Sequence, residues 1–429
     1  MPDPIQVLLD QRNLAILIFI TTYAYIALGK KEKQIAALVG ATFVWILGIV
    51  STLDMINYID FETLGLLFGM MVIVGALRES GFFRYIGLEA ARLSGYIPRR
   101  MFIVTTLTTA LLSALLANVT VVMFMTVMII EIAEMLNLDP KPFIIGEIMA
   151  SNIGGAATII GDPPNIMVAT RINMTFLDFI IYIAPISIVA LLASTLLIYY
   201  YYRDILDKEI ITVDLPVSPS EVITDLKLLY IGYAIFVFTI IMFLIKPYVG
   251  LSYSAIAILG SSILLFLGGE KMPQVLDDVE WGTLLFLAGL FIIIGGLDKT
   301  GVIGNISQVL KPYLTSNLYI STTIVLWISA LASALIANIP FTAAFIPILR
   351  SITTPSPDNP LWWALILGAD FGGNTTSIGS SSNVVALDIM KERGLEISFI
   401  EYLKIGILIL IVSVGVSNIL LIAEFYLFG

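Results

Sequence analysis

Two aspartates stand in stretches that are otherwise apolar. Asp162 lies in SNIGGAATIIGDPPN (Ser151–Asn165), and Asp370 opens DFGGNTTSIGSSSN (Asp370–Asn383). A carboxylate inside an apolar span costs about 2.5–3.5 kcal/mol on insertion scales, so such groups mark ion, proton or substrate pathways by default. Glu147, on the apolar approach to Asn152, is a second-rank carboxylate of the same kind. The chain has no histidine and no cysteine. Proton chemistry therefore rests on carboxylates, Lys, Tyr or water, and thiolate metal sites and disulfides are excluded. Asp162 followed by Pro163 and Pro164 has the form of a helix N-cap with proline in the first turn. A half-helix is expected to begin at Pro163, with its positive dipole end facing the Gly-rich interruption. Backbone groups freed at that interruption are suited to hold a cation or an anion. Ser380, Ser381 and Ser382 are placed to cap the matching half-helix, and Asn165 and Asn383 follow at equivalent positions.

The surrounding chain is a bilayer's. Of 429 residues, 59% are hydrophobic and 13% charged, against about 25% charged in ordinary soluble domains. Runs such as 34–53, 177–202 and 405–428 reach the roughly 20 residues needed to cross a hydrocarbon core. The N-terminal MPDPIQVLLDQRN lacks a basic leader, so the first span is expected to serve as the insertion signal. A net charge of −10 gives no reason to expect nucleic acid as a partner.

The sequence is also written twice. GALRESG (75–81) faces GGLDKTG (295–301) and SALLANVT (113–120) faces SALIANIP (333–340), both at an offset of 220, while IGGAATIIGDPPN (153–165) faces FGGNTTSIGSSSN (371–383) at 218. The expected fold is an all-α polytopic membrane protein of two inverted repeats, 1–203 and 227–429, joined by a polar linker, 204–226. Each repeat holds five crossings, a re-entrant helical hairpin (100–136; 318–352) and one broken helix (143–171; 361–390). The hairpin is preferred to two crossings because Asn118 and Thr120 at its turn would otherwise face lipid. An odd number of crossings inverts the second repeat, as in many secondary transporters. With both termini outside, cytoplasmic loops collect 16 of the 22 Lys and Arg residues, including Lys30, Lys31 and Lys33, against 6 outside, such as Arg171 and Arg350. Tyr199–Tyr202, Trp362 and Trp363 are read as interfacial belt residues.

The segments LGLLFGMMVIVGALRESGFF, LLANVTVVMF, SNIGGAATIIGDPPN, SALIANIPFTAAFIPIL and GGNTTSIGSSSNVVA resemble the ion transporter superfamily over nearly the whole chain. The nearest branch is the one with the melanosomal P protein, arsenite-efflux permeases and plant silicon-efflux transporters. Sodium/proton antiporters and divalent anion/sodium symporters are more distant. The resemblance implies a homodimer in which solute and coupling ions bind between two hairpin tips, Ala117–Thr120 and Ala337–Pro340, and two breaks. Carried over, the solute-binding set is Asn118, Thr120, Asn338, Asn152, Thr158, Asn165, Asn374, Thr375, Thr376, Ser380 and Asn383. Asp162, Asp370 and Glu147 form the coupling set, with Na⁺ expected near Asn118, Gly155 and Asp162 and near Asn338 and Gly373. Relatives of the P-protein and antiporter type place Asp before each hairpin Asn, where this chain has Ala117 and Ala337. That loss concentrates coupling on Asp162 and Asp370 and favours a neutral or anionic solute.

The expected activity is gradient-coupled transport of a small inorganic solute across the cytoplasmic membrane by alternating access, with proton-coupled arsenite or antimonite efflux first. A sodium/proton antiporter or an anion symporter on the same fold is the alternative, and a passive channel belongs to a different class. No catalytic residue, enzymatic role or cofactor is expected beyond Na⁺ or H⁺ as coupling ion. The lipid bilayer is the surrounding partner, and primary pumping would require a separate ATPase subunit. A phosphate-binding loop is absent, since no Gly-Lys-Ser/Thr follows the glycines. The Ile-Ile-Gly before Asp162 also departs from the Gly-x-Gly-Asp of intramembrane aspartyl proteases.

Overall fold

The structure is a computed structural model that describes residues 10–27, 32–208 and 219–427. The expectations placed on residues 1–9, on Lys30 and Lys31 and on 209–218 of the linker lie outside the described residues. Every regular element among the described residues is a helix. In chain order the principal ones are α1 (Gln11–Ala27), α2 (Lys33–Ile46), α3 (Thr52–Tyr58), α4 (Phe61–Glu79) and α5 (Phe82–Leu93). The first hairpin follows as α6 (Pro98–Leu115) and α7 (Asn118–Met135), the first broken helix as α8 (Lys141–Ala156) and α9 (Pro163–Ile172), and then α10 (Phe176–Tyr201). The second half runs α11 (Leu226–Leu244), α12 (Tyr253–Leu267), α13 (Met272–Asp277), α14 (Trp281–Lys299) and α15 (Val302–Thr315). It closes with the hairpin α16 (Leu318–Ile336) and α17 (Asn338–Ile352), the broken pair α18 (Pro360–Gly372) and α19 (Ser381–Glu392), and α20 (Phe399–Leu427). The order of elements is the same in both halves.

Among the described residues seven helices are long and apolar enough to cross a membrane, and two of them, α7 and α16, are hairpin arms. The ten expected crossings are therefore not ten long helices. In each half one crossing is divided by a break, and α2 and α12 have only 14 and 15 residues.

Two bundles result, each mixing the halves. In the first, α2 packs on α14 and α12 packs on α4, with α1 and α11 flanking them. In the second, α6 packs on α8 and α16 on α18 within a half. Here α7 lies on α19, α9 on α17 and α10 on α20, across the halves. Pairwise exchange of this kind is what a two-fold relation between repeats produces. The entering halves of the broken helices are wrapped on all sides: every residue from Pro142 to Ala156 and from Pro360 to Gly372 is buried. That encasement corrects one expectation. Trp362 and Trp363 are fully buried, not interfacial, and their indole nitrogens donate to the carbonyls of Thr354 (3.0 Å) and Pro357 (2.7 Å). A buried tryptophan needs such a partner for its N–H. Tyr200 and Tyr201, by contrast, are exposed.

Two glycines set how closely each hairpin approaches its broken helix. A Cβ on Gly154 would fall 2.3 Å from the Ala110 carbonyl oxygen, and one on Gly372 would fall 2.2 Å from that of Ala330. Backbone sits against backbone at both places. Gly154→Ala and Gly372→Ala should each lower stability by about 1–3 kcal/mol through overpacking. Gly415→Ala, where a Cβ meets nothing within 4 Å, should not. Thermal unfolding of the detergent-purified variants checks this.

Candidate functional site

A helix broken inside an apolar bundle leaves carbonyls that have lost their amide partners, and burying them unpaired is costly. One asparagine serves each break. Asn165, in the first turn of α9, donates its amide to the carbonyls of Gly155 (2.9 Å) and Thr158 (2.7 Å). Asn383, in the first turn of α19, donates to Gly373 (2.6 Å) and Thr376 (2.8 Å). Hydroxyls then tie each break to its hairpin. Thr158 donates to the Ala114 carbonyl and Thr376 to that of Ala334 (2.7 Å). Four members of the solute-binding set are thus spent on holding backbone, and the Gly155 and Gly373 carbonyls expected beside Na⁺ already accept amides.

Asp162 is the N-cap of α9 by position, but its side chain makes no capping bond. It turns instead toward the hairpin tips. Asn118, the first residue of α7, donates to Asp162 Oδ2 at 2.7 Å, and Asn338, the first residue of α17, donates to the same oxygen at 3.1 Å. Each tip amide is oriented by its own oxygen, which accepts from the backbone N–H of Val119 (2.8 Å) or Ile339 (3.0 Å). Three elements from both halves therefore converge on one carboxylate that is 1% exposed. At the second tip Ala337 holds φ 74° and ψ 153°, a conformation disfavoured for a residue with a Cβ and characteristic of functional strain.

The counterpart of Asp162 at the 218 offset is Ser380, whose hydroxyl pairs with that of Ser382 (3.0 Å). The counterpart of Asp370 is Asn152. Each break carries one carboxylate, but at different ends. Asn152 joins the two breaks: its amide donates to Asn374 Oδ1 (2.9 Å) and Asn383 Oδ1 (3.0 Å), and it accepts from Ser382 (3.0 Å). Asp370 and Glu147 are fully buried with no hydrogen-bond partner on either oxygen among the described residues. The Asn374 amide nitrogen and the Thr375 hydroxyl are buried and unpartnered in the same sense.

A cavity of about 30 Å³ adjoins Asp162, lined also by Asn118, Asn338, Ser380, Ser381, Glu280 and Lys33. Glu147, Thr120, Asn152 and Asp370 are not among its lining residues. Thr120 is half-buried one turn into α7. Glu280 belongs here without having been singled out in the sequence, which marks Lys33 only as a loop charge and Ser381 only as a cap, a bond that no side chain makes at the start of α19. At the far end of α9 lies a larger cavity of about 240 Å³, with Asp60, Asp298, Arg171 and Arg350 in its wall. Arg171 Nε pairs there with Asp60 Oδ2 at 3.0 Å. The smaller space is large enough for a water or a bare ion. Its carboxylate and hydroxyl oxygens suit a proton or a hard cation, while the two asparagines turn their amide N–H groups to Asp162 and Lys33 adds an ammonium. Among the described residues no group of three His, Cys, Asp or Glu is placed to hold a metal ion. Asn165→Ala and Asn383→Ala should each orphan two buried carbonyls and cost about 1–3 kcal/mol. Urea or thermal unfolding of the purified variants is the check, and an unchanged midpoint would remove the asparagines' structural role.

The chain matches the model of the citrate transporter family over residues 23–368. An uncharacterised transporter of Mycobacterium bovis is 37% identical over 423 residues, covering 96% of this chain and 98% of that protein. The human P protein is 32% identical across 98% of this chain, which spans 60% of its length. Among solved structures, the YdaH transporter of Alcanivorax borkumensis superposes with a TM-score of 0.58 over 87% of each chain at 13% identity, a likeness of fold alone. Apolar helices wrapped around two divided ones, together with these matches, identify the chain as a multi-pass membrane transporter belonging to the citrate transporter family.

Proposed function

We propose that this protein is a secondary transporter of the cytoplasmic membrane in which Asp162, Asn118 and Asn338 form the coupling-ion centre. The observation that carries this is the convergence of both hairpin tips on one buried carboxylate beside an ion-sized cavity. Entry of H⁺ or Na⁺ replaces the amide hydrogen bonds at Asp162, loosens the tips from the break and so links ion occupancy to hairpin position. Asp370, fully buried, is the second coupling carboxylate.

The solute is proposed to be small, polar and inorganic, with arsenite or antimonite exported against protons first. The unpartnered Asn374 amide and Thr375 hydroxyl support a neutral, hydroxyl-rich solute, because they offer hydrogen bonds and no fixed charge. An anionic solute such as a tricarboxylate is the second reading. It is supported by the description of the family and by Arg171 and Arg350 in the 240 Å³ cavity.

Flux into proteoliposomes, run with arsenite, citrate and Na⁺ under imposed proton and Na⁺ gradients, separates these. Arsenite movement abolished by a protonophore supports the first, and citrate movement that follows a cation gradient supports the second. Flux indifferent to every gradient would make the protein a channel. Asp162→Asn should keep a monodisperse protein and lower coupled flux at least tenfold. A wild-type rate in that variant would reduce Asp162 to a structural residue.

A further inference from the structure

Lys33 is the first residue of α2, half-buried, and its ammonium donates to Ser381 Oγ at 2.8 Å. The same ammonium lies 5.4 Å from the centre of the Phe286 ring. It lines the ion-sized cavity with Asp162, Asn118 and Asn338, and Glu280 is the second carboxylate on that wall. Lys33 and Glu280 belong to the first bundle, whereas Asp162, the two asparagines and Ser381 belong to the second. A positive charge therefore stands in the wall of the coupling site without being carried by the bundle that holds it.

The 220 offset shows what the opposite edge of the first bundle offers. Glu280 precedes α14 as Asp60 precedes α4, and Lys33 corresponds to Tyr253. Asp60 meets the end of α9, pairing with Arg171 (3.0 Å) and accepting from Thr170 (3.3 Å). Glu280 instead shares a cavity with Ser380 and Ser381 at the start of α19. Were the breaks centred between the two edges of the first bundle, both acidic residues would face equivalent turns of their half-helices. They do not. The breaks lie beside the Lys33 edge and one half-helix, about 15 Å at 1.5 Å per residue, from the Arg171 edge. Exchanging the roles of the two repeats brings the start of α9 to Asp60 and Tyr253 and leaves Lys33 behind.

We infer that Lys33 is a tethered competitor of the coupling cation, an ammonium that reaches the Asp162 cavity only when the breaks stand at the Lys33 edge and so drives ion release on that side. The inference rests on the cation coupling proposed above. The physical ground is that two positive charges cannot share a 30 Å³ space at low dielectric without strong repulsion. The Ser381 bond holds the ammonium in the cavity wall. At the other edge the corresponding residue is the neutral Tyr253; the cations there are Arg171, paired with Asp60 (3.0 Å), Arg350, and Lys246, 4.0 Å from the Tyr253 ring, and none of the three lines the Asp162 cavity. Lys33 is thus a positioning residue that makes ion affinity differ between the two sides.

The absence of native cysteine allows a direct test. Ala117 lines the cavity, so Ala117→Cys in the full-length protein, reconstituted in vesicles, reports access to it. A membrane-impermeant maleimide is applied to one face at a time while Na⁺ is titrated at fixed pH, and pH at fixed Na⁺. Adding Lys33→Met should lower the half-protecting ion concentration at least tenfold at the Lys33 face and leave it unchanged at the Arg171 face. Lys33→Arg should behave as the parent. An unchanged value at the Lys33 face, or an equal shift at both faces, overturns the competitor and makes Lys33 a merely structural residue. If neither Na⁺ nor pH alters labelling in any background, the cation-coupling proposal itself falls. Should Lys33→Met not fold, Ser381→Ala removes the hydrogen bond that holds the ammonium and should shift the Lys33-face value in the same direction. No shift there overturns the inference as well.

Discussion

A helix can stop inside a membrane only if something accepts or donates in place of the missing turn. Here two asparagine amides do so, Asn165 for the Gly155 and Thr158 carbonyls and Asn383 for those of Gly373 and Thr376. Everything at the site follows from those four hydrogen bonds. They fix where α9 and α19 begin, and so where Asp162 and Ser380 stand. Pro163 and Pro164 have no N–H to cap, and the Asp162 side chain meets the hairpin tips instead. Because the clamps are side chains and not continuous backbone, the breaks stay narrow enough for each hairpin to lie against them at glycine.

The two halves share backbone arrangement more closely than chemistry. Clamping asparagines, threonine ties and close-packed glycines recur in both. The carboxylates do not, since Asp162 stands opposite Ser380 and Asn152 opposite Asp370. This departure sets one carboxylate, Asp162, against both tips and the other, Asp370, fully buried in the entering half of the second broken helix. It also leaves Asn152 free to bridge the breaks as a neutral hydrogen-bonding group. A strictly symmetric pair of sites would place two like charges at matching positions. The observed arrangement separates the roles.

Much of this was legible in the sequence because glycine, proline and polar residues interrupt apolar runs at repeated offsets. The breaks, the half-helix starting at Pro163 and the hairpin turns at Asn118 and Asn338 all follow from that punctuation. What was not legible depended on packing between distant segments. Thr158 and Thr376 look like ligands in sequence, and only the approach of Ala114 and Ala334 shows where their hydroxyls go. Trp362 and Trp363 sit near a span's end, as belt residues do, but neighbouring helices enclose all of α18. Lys33 reads as a loop charge because its partner Ser381 is 348 residues away. Glu280 likewise gains its place only when α14 is set beside α19.

The shortness of α2 and α12 has a consequence for the membrane itself. At 1.5 Å per residue their 14 and 15 residues span about 21 and 22 Å, against a hydrocarbon core of about 30 Å. Their exposed Phe43, Trp45, Ile46, Ile258 and Leu259 mark apolar surface on both helices. Lipid meeting that surface can match it by thinning toward the protein, at a modest cost per ångström of mismatch. A thinner bilayer at the first bundle shortens the distance between its two edges. Under the proposed coupling scheme an ion held at Asp162 would then have less hydrocarbon to cross, and lipid chain length would enter the transport barrier.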